Sequence, residues 1–330
     1  MKNSFGGSGM DENENSDIPD IRKASDLAKA DLTLPADVKS FMDDLFSNCN
    51  FQITKLLSTF PNTHEETLDQ LLVSNLAQMQ GPVKLGSNWV IRLDAHFIGG
   101  GRHYRTWEVA DIGLMVIFRK NGKIVRSKLA FLQSKRLYAS TQKHKPIDPY
   151  YRMGMGRLLV TDDEHEELIA KKTIKFSKAC RYKAFKAADT QHDAMEGFAN
   201  KHGVKLYYLF YNPAALPWSI DSPVEQAPYI EKNEVGCRVV PMDLLDSSSN
   251  LFQSARSPSY EGIEHAVKDK LDGDDMDAGW RLEYFVNDLF IACKEGVIDD
   301  TPNFEMLHSL MSQKSSPISS AISITFDMDE

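Results

Sequence analysis

The segment "WEVADIGLMVIFRKNGKIVRSKLAFLQSKRLYAS", residues 107–140, decides the fold. Two apolar runs flank the dipeptide Asn121-Gly122, which is typical of a β-hairpin turn. The first run opens with a carboxylate, Asp111, and the second ends with a Gln-Ser-Lys trio at 133–135. Burying polar groups costs free energy unless they are paired, so this arrangement indicates that the polar groups meet one another.

The hairpin loop determines which face of the sheet carries these groups. A three-residue loop from Asn121 to Lys123 places Asp111 directly opposite Gln133. Lys135 lies two residues further along the strand and shares the face of Gln133. A two-residue Asn-Gly loop turns Gln133 to the other face, unless a β-bulge restores the parity. The sequence leaves both loops open.

Composition predicts an ordinary packed protein. The 330 residues are 42% hydrophobic and 10% aromatic, enough for one large domain or two smaller ones. Because the chain lacks a run of about 18 apolar residues and opens with polar and acidic residues, we expect a cytoplasmic protein without a membrane partner. The four cysteines form no C-x-x-C pair, which argues against a zinc knuckle or a disulfide framework.

Positive charge is concentrated in the middle of the chain, although the net charge is −9. Residues 101–210 contain 22 Lys and Arg but 11 Asp and Glu. Within them, 112–147 carries nine basic residues and no acid, and 171–186 carries seven and none. Such runs are often solvated faces, but one of them contains the polar trio, which favours contact with nucleic acid.

Hydrophobic spacing divides the chain into three parts. Residues 1–22 are predicted to be a disordered acidic tail, 23–215 a core, and 216–330 a C-terminal extension packed on the core or accessory to it. The core is predicted to contain helices over 35–60 and 63–80, a strand over 89–98, the hairpin, a mostly helical stretch over 162–203 and a buried strand over 204–213. The extension is predicted to contain strands over 235–245 and 321–326 and helices over 280–296 and 301–313.

A helix followed by such a hairpin resembles the PD-(D/E)xK nuclease superfamily. In that family a helix often supplies a Glu, one strand begins near an acid, and the next carries acid-x-Lys. Asp111 corresponds to the metal-binding aspartate, Lys135 to the lysine and Gln133 to the second acid. The neutral Gln is similar to the Q-x-K, Mrr-like branch found among bacterial defence effectors. The resemblance implies a restriction-endonuclease-like α/β core, with a central mixed sheet flanked by helices.

Glu65 is the predicted helix acid. It precedes Leu68 by three residues and therefore lies on the apolar stripe that faces the sheet. Glu66 shares a stripe with Asp69 and can form a capping box with Thr63. The alternative for Glu65 is an acid of the first turn that the helix dipole favours.

The resemblance also implies a metal and a nucleic-acid surface. Mg²⁺, with Mn²⁺ as a substitute, would be bound by Glu65, Asp111, Gln133 and the backbone carbonyl near Ser134. Lys135 would then position the metal-bound water or stabilise charge that develops on the phosphate. The residues that follow the trio would suit contacts with the nucleic-acid backbone or equally a solvated strand end, namely Arg136, Tyr138, Lys143 and Lys145.

These expectations amount to a metal-dependent endodeoxyribonuclease acting on DNA, with double-stranded DNA favoured. The resemblance further implies an effector of a bacterial restriction or anti-phage system, with a protein partner from that system. The first alternative is a catalytically inactive nuclease-fold module that binds DNA or protein, because a decaying site would also carry a neutral Gln133. The second is an interaction module whose basic centre docks an acidic partner. The sequence leaves a homo-oligomer open.

Overall fold

A computed structural model describes residues 34–79, 81–97, 109–143, 172–185, 190–222, 235–245, 257–271, 278–299 and 318–328. Within these ranges, the chain forms one large mixed sheet, a smaller three-stranded sheet and flanking helices. The predicted α/β class with a central mixed sheet is therefore confirmed. The acidic tail at 1–22 and the helix predicted over 301–313 lie outside the described residues.

The central hairpin is present and ends in a two-residue turn. Strand β3 (Ala110–Lys120) and strand β4 (Lys123–Arg136) are antiparallel, and Asn121 and Gly122 between them have φ of 52° and 71°. Such left-handed backbone at both central positions favours the Asn-Gly sequence. The shorter of the two predicted loops is therefore the one that forms.

A β-bulge close to this turn restores the register of the longer loop. Arg119 pairs with Ile124, but Phe118 pairs with Arg126, so Val125 is an extra residue on β4. Beyond the bulge the pairing continues regularly to Ile112 opposite Leu132. The next step along the two strands places Asp111 beside Gln133.

Strands from both the predicted core and the predicted extension build the large sheet. Its other members are β1 (Val83–Lys84), β2 (Val90–Phe97), β7 (Leu206–Tyr211), β9 (Arg238–Pro241), β10 (Trp280–Arg281), β11 (Val297–Asp299) and β12 (Ile318–Asp327). The order is β1-β2-β12-β3-β4-β7-β9-β10, with β11 paired to β4. The described parts of 216–330 therefore contribute strands to the same sheet.

Strand β12 occupies a central position in this sheet. It pairs in parallel with β3 and antiparallel with β2, although it comes from the far end of the chain. Eight of its ten residues are buried, including Ile322, Ile324 and Phe326. A strand buried on both faces reads as a nearly continuous apolar run, which explains the "AISITF" pattern.

Five helices pack around the sheet within the described residues. They are α1 (Ala36–Thr59), α2 (Glu65–Ala77), α3 (Thr190–His202), α4 (Tyr260–Val267) and α5 (Leu282–Tyr284), and α5 continues as a π-helix over Phe285–Ile291. Helix α2 buries a leucine at every fourth residue, Leu68, Leu72 and Leu76. This spacing places one face of the helix against the sheet. The two N-terminal helices are thus confirmed, with ends close to those predicted.

The stretch 162–203 was predicted to be mostly helical, and within the described residues that prediction is wrong for its middle part. Residues Lys172–Phe176 form strand β6, which pairs with β5 (Ser140–Lys143) and β8 (Trp218–Ser222) in the small sheet. Thr173 and Phe176 are buried there. The β-branched and aromatic residues of "KTIKF" favour a pleated strand. The basic composition of this segment concealed the strand.

No described helix is both long enough and apolar enough to cross a lipid bilayer.

Candidate active site

Asp111 and the polar trio meet at one end of the central hairpin. The amide Nε2 of Gln133 donates to Asp111 Oδ2 at 2.5 Å, and the backbone N–H of Ser134 donates to the same oxygen at 2.8 Å. Gln133 and Ser134 are buried, whereas Asp111 is partly exposed. Two N–H donors on one carboxylate oxygen hold the side chain of Asp111 in a single orientation.

Lys135 shares the face of Gln133 and is also buried. Only 4% of the residue is exposed, and its Nζ donates to Gln191 Oε1 on helix α3 at 3.0 Å. Phe131, on the same face of β4, contacts Phe198 of that helix with ring centroids 5.6 Å apart. Helix α3 therefore covers the face that carries Gln133 and Lys135.

Glu65 reaches this strand end from the opposite side. Its Oε1 accepts from the backbone N–H of Arg136 at 3.0 Å, and the residue is half-buried. Burial raises the pKa of Glu65, while the ammonium of Lys135 and the N–H of Arg136 oppose that shift. The structure thus brings Glu65 to the strand end that Asp111 and Lys135 share.

Glu66 differs from Glu65 in both exposure and contacts. It is exposed, and no hydrogen bond joins it to Thr63, whose Oγ1 instead donates to Phe60 O at 2.7 Å. The predicted capping box is therefore wrong, because the helix begins at Glu65 and leaves Thr63 two residues outside it. Spacing nevertheless identified which of the two acids points inward.

Asp69 is a buried member of this cluster that the sequence analysis placed on the outer stripe. Its Oδ1 accepts from Ser134 Oγ at 2.5 Å and from Tyr211 OH at 2.6 Å. The residue as a whole is partly exposed, but its carboxylate is enclosed, and burial raises the pKa of Asp69 to about 7. Asp69 follows Glu65 by four residues and therefore lies on the same side of the helix, although the sequence analysis grouped it with Glu66.

Gln133 has one buried atom without a partner. While its Nε2 donates to Asp111, its Oε1 is buried and accepts no hydrogen bond within the described part of the chain. An unpaired buried acceptor is costly, so a cation, or water bound to one, would suit this oxygen. The described residues contain no group of three or more His, Cys, Asp or Glu side chains arranged to hold a metal. The oxygens available to a metal at this strand end belong to the carboxylates of Glu65 and Asp111, the amide of Gln133 and backbone carbonyls.

The residues predicted to contact nucleic acid have different surroundings. Arg136 is buried, donates from Nη1 to Pro61 O at 2.8 Å, and stacks on the ring of Tyr138 at 3.7 Å. Its guanidinium is therefore committed to protein contacts, contrary to the expectation that it faces a phosphate. Lys145 lies outside the described residues, and only the backbone of Lys143 is described.

Two basic residues that the sequence analysis did not single out lie beside Tyr138. The Nζ of Lys183 lies 5.3 Å from its ring centroid, and the backbone of Arg181 pairs with that of Tyr138. Both basic residues are exposed. The basic segment 171–186 thus reaches the same end of β4 as the polar trio, which the sequence suggested only through its composition.

Comparison with known proteins returned no matching family model, no matching curated protein and no matching solved structure.

Proposed function

We propose that this protein is a metal-dependent endodeoxyribonuclease whose active site is the strand end formed by Glu65, Asp111, Gln133 and Lys135. The observation that carries the proposal is the pair of N–H donors that orients Asp111 next to a buried lysine and a helix carboxylate. Carboxylates, a lysine and an unpaired amide oxygen, which meet here at one strand end, are the groups that metal-assisted phosphodiester hydrolysis uses.

The oxygens at this strand end are of the chemical type that a hard divalent cation prefers. Asp111, Glu65 and the unpaired Gln133 Oε1 would bind Mg²⁺, or Mn²⁺ as a substitute, because both ions favour oxygen ligands. The bound ion would polarise the phosphate and lower the pKa of its water. A neutral amide in place of a third carboxylate predicts weak binding, since it supplies an oxygen without charge.

The chain's own residues supply position and charge. Lys135 is held by Gln191 close to Glu65, so its ammonium can stabilise the negative charge that develops on a phosphate. A side-chain amide can release that ammonium by rotating. Asp111, fixed by Gln133 and Ser134, keeps its orientation while substrate enters, so little reorganisation is needed during the reaction.

The order of elements supports a PD-(D/E)xK-like core. Helix α2, the hairpin β3–β4, helix α3 and strand β7 follow one another in the order of the motif, and β7 runs parallel to β4. The insertion of β12 between β2 and β3 departs from a simple succession of strands. The role of defence effector, a partner from such a system and the DNA substrate rest on the Q-x-K resemblance and the basic centre of the chain.

Plasmid cleavage tests the proposal. The full chain should nick supercoiled plasmid in millimolar Mg²⁺ or Mn²⁺ and should lose this activity in EDTA. Asp111→Ala should remove nicking and keep the native circular dichroism spectrum. A wild-type protein that retards plasmid on a gel but cuts it in no metal would instead support the non-catalytic DNA-binding module.

A further inference from the structure

We propose that Asp69 is a positioning residue that fixes Ser134, and through Ser134 the orientation of Asp111. This inference rests on the function proposed above and extends it to a residue that is not among the proposed metal-binding side chains. The link runs through one amino acid. Ser134 donates its hydroxyl to Asp69 Oδ1 and its backbone N–H to Asp111 Oδ2.

The rise per residue of helix α2 and of strand β4 makes these hydrogen bonds possible. Glu65 contacts the backbone of Arg136, and Asp69 contacts Ser134, so the helix runs antiparallel to the strand. Four residues of helix advance about 6 Å, and two residues of strand advance about 6.6 Å. Two acids one helical turn apart therefore match two alternate residues of the strand, and together they hold Ser134, the middle of the trio, and Arg136, the residue that follows it.

Packing alone does not account for a carboxylate at this position. Leu68 and Leu72 already fill the interface between α2 and the sheet, and an apolar residue at 69 would avoid the cost of burying charge. Ser134 and Tyr211 are both fully buried, and both donate to the same oxygen of Asp69. The arrangement holds the Ser134 hydroxyl from the face opposite Gln133 and Lys135.

Hydrogen–deuterium exchange tests the positioning role without any need for activity. In Asp69→Leu, peptides that span 131–137 should exchange at least tenfold faster than in the wild type, while peptides from β2 and β12 should be unchanged. Asp69→Asn retains an acceptor oxygen and should restore most of the protection. Tyr211→Phe is the matched control, because it removes the other donor to Asp69 and leaves Ser134 in place. Wild-type exchange at 131–137 in Asp69→Leu would overturn the proposal.

Kinetics of nicking then test the consequence for the site. Asp69→Leu and Ser134→Ala should each lower kcat at least tenfold with KM nearly unchanged. The double variant should be no slower than either single one, because both changes remove the same link. Additive losses would overturn the link between the two residues. A wild type without activity would refute the proposed function but leave the exchange experiment decisive for Asp69.

Discussion

Two lysines are buried on the same strand, seven residues apart, and their surroundings differ. Lys128 has no exposed surface, and its Nζ donates to the backbone carbonyls of Phe290 and Glu295. Lys135 is 4% exposed, and its Nζ donates to the side-chain amide of Gln191. Because side chains alternate along a strand, the two lysines point to opposite faces of the sheet.

The difference lies in what can replace the partners of each ammonium. Main-chain carbonyls of the π-helix and of the turn that follows it cannot turn away from Lys128, and the ring of Phe290, with its centroid 5.0 Å from Nζ, covers it further. A side-chain amide can rotate, and Lys135 has a half-buried carboxylate, Glu65, as a neighbour. Burial of a lysine thus stabilises the fold in the middle of β4 and, in the proposed function, contributes to catalysis at the end of that strand.

Replacing each lysine with methionine should separate these roles, and this is the largest effect we expect. Lys135→Met should lower the rate of plasmid nicking about 10³-fold, because an ammonium that stabilises transition-state charge contributes several kcal/mol. Lys128→Met should retain the activity of its folded fraction within a few-fold. Nicking rates, corrected for the folded fraction by circular dichroism, provide the measurement. Equal losses of nicking rate in the two variants would contradict the proposed difference between Lys128 and Lys135.

The pH dependence of the free energy of unfolding should show that Lys128 is buried as an ammonium. Burial lowers the pKa of Lys128 to about 8, below its usual 10.5. Between these values the unfolded chain binds more protons, so this residue makes the free energy of unfolding rise with pH, by about 3 kcal/mol at most. Below pH 8 its contribution should be constant.

Urea unfolding of the wild type and of Lys128→Met from pH 7 to 10.5 measures this effect. The stability of the wild type should increase relative to the variant across that window. Using the difference removes the opposing contribution of buried tyrosines, such as Tyr207, whose pKa is raised by burial. A difference that stays flat would mean that the ammonium of Lys128 is not desolvated in the folded protein.

The smallest effect should come from the acids at the start of α2. Glu65→Gln should lower nicking about tenfold, because it removes a carboxylate beside Lys135, whereas Glu66→Gln should stay within twofold. The two substitutions have the same chemistry and lie in the same helical turn, so each controls for the other. Rates measured over a range of Mg²⁺ should show the loss in Glu65→Gln at low metal concentration. Similar rates for the two variants would remove Glu65 from the site.

Local sequence signals correctly predicted the hairpin and the acid of helix α2 that points inward. Asn121-Gly122 encodes the turn, and the spacing from Leu68 identified Glu65 as the inward acid. The bulge at Val125 was one of two alternatives, because nothing local to the turn distinguishes a bulge from a longer loop. The side-chain contact between Gln133 and Asp111 follows from that bulge.

Long-range pairing was the part that the sequence could not predict. Strand β12 lies between β2 and β3, although about 200 residues of chain separate β3 from β12. Asp69 was placed on the outer stripe with Glu66. Its two hydroxyl donors, Ser134 and Tyr211, lie on strands β4 and β7, which are distant in the sequence. A polar residue on the margin of a helical stripe turns inward only when a distant strand offers donors, and one-dimensional periodicity does not report such donors.

A metal titration of plasmid nicking by the wild type and by Gln133→Glu tests the central claim most directly. The wild type should require millimolar Mg²⁺ and respond strongly to Mn²⁺, because Gln133 supplies an oxygen without charge. Gln133→Glu restores the carboxylate and should reach half-maximal activity at the same or a lower Mg²⁺ concentration. A wild type that binds plasmid but remains inactive at every concentration of either metal would contradict the account.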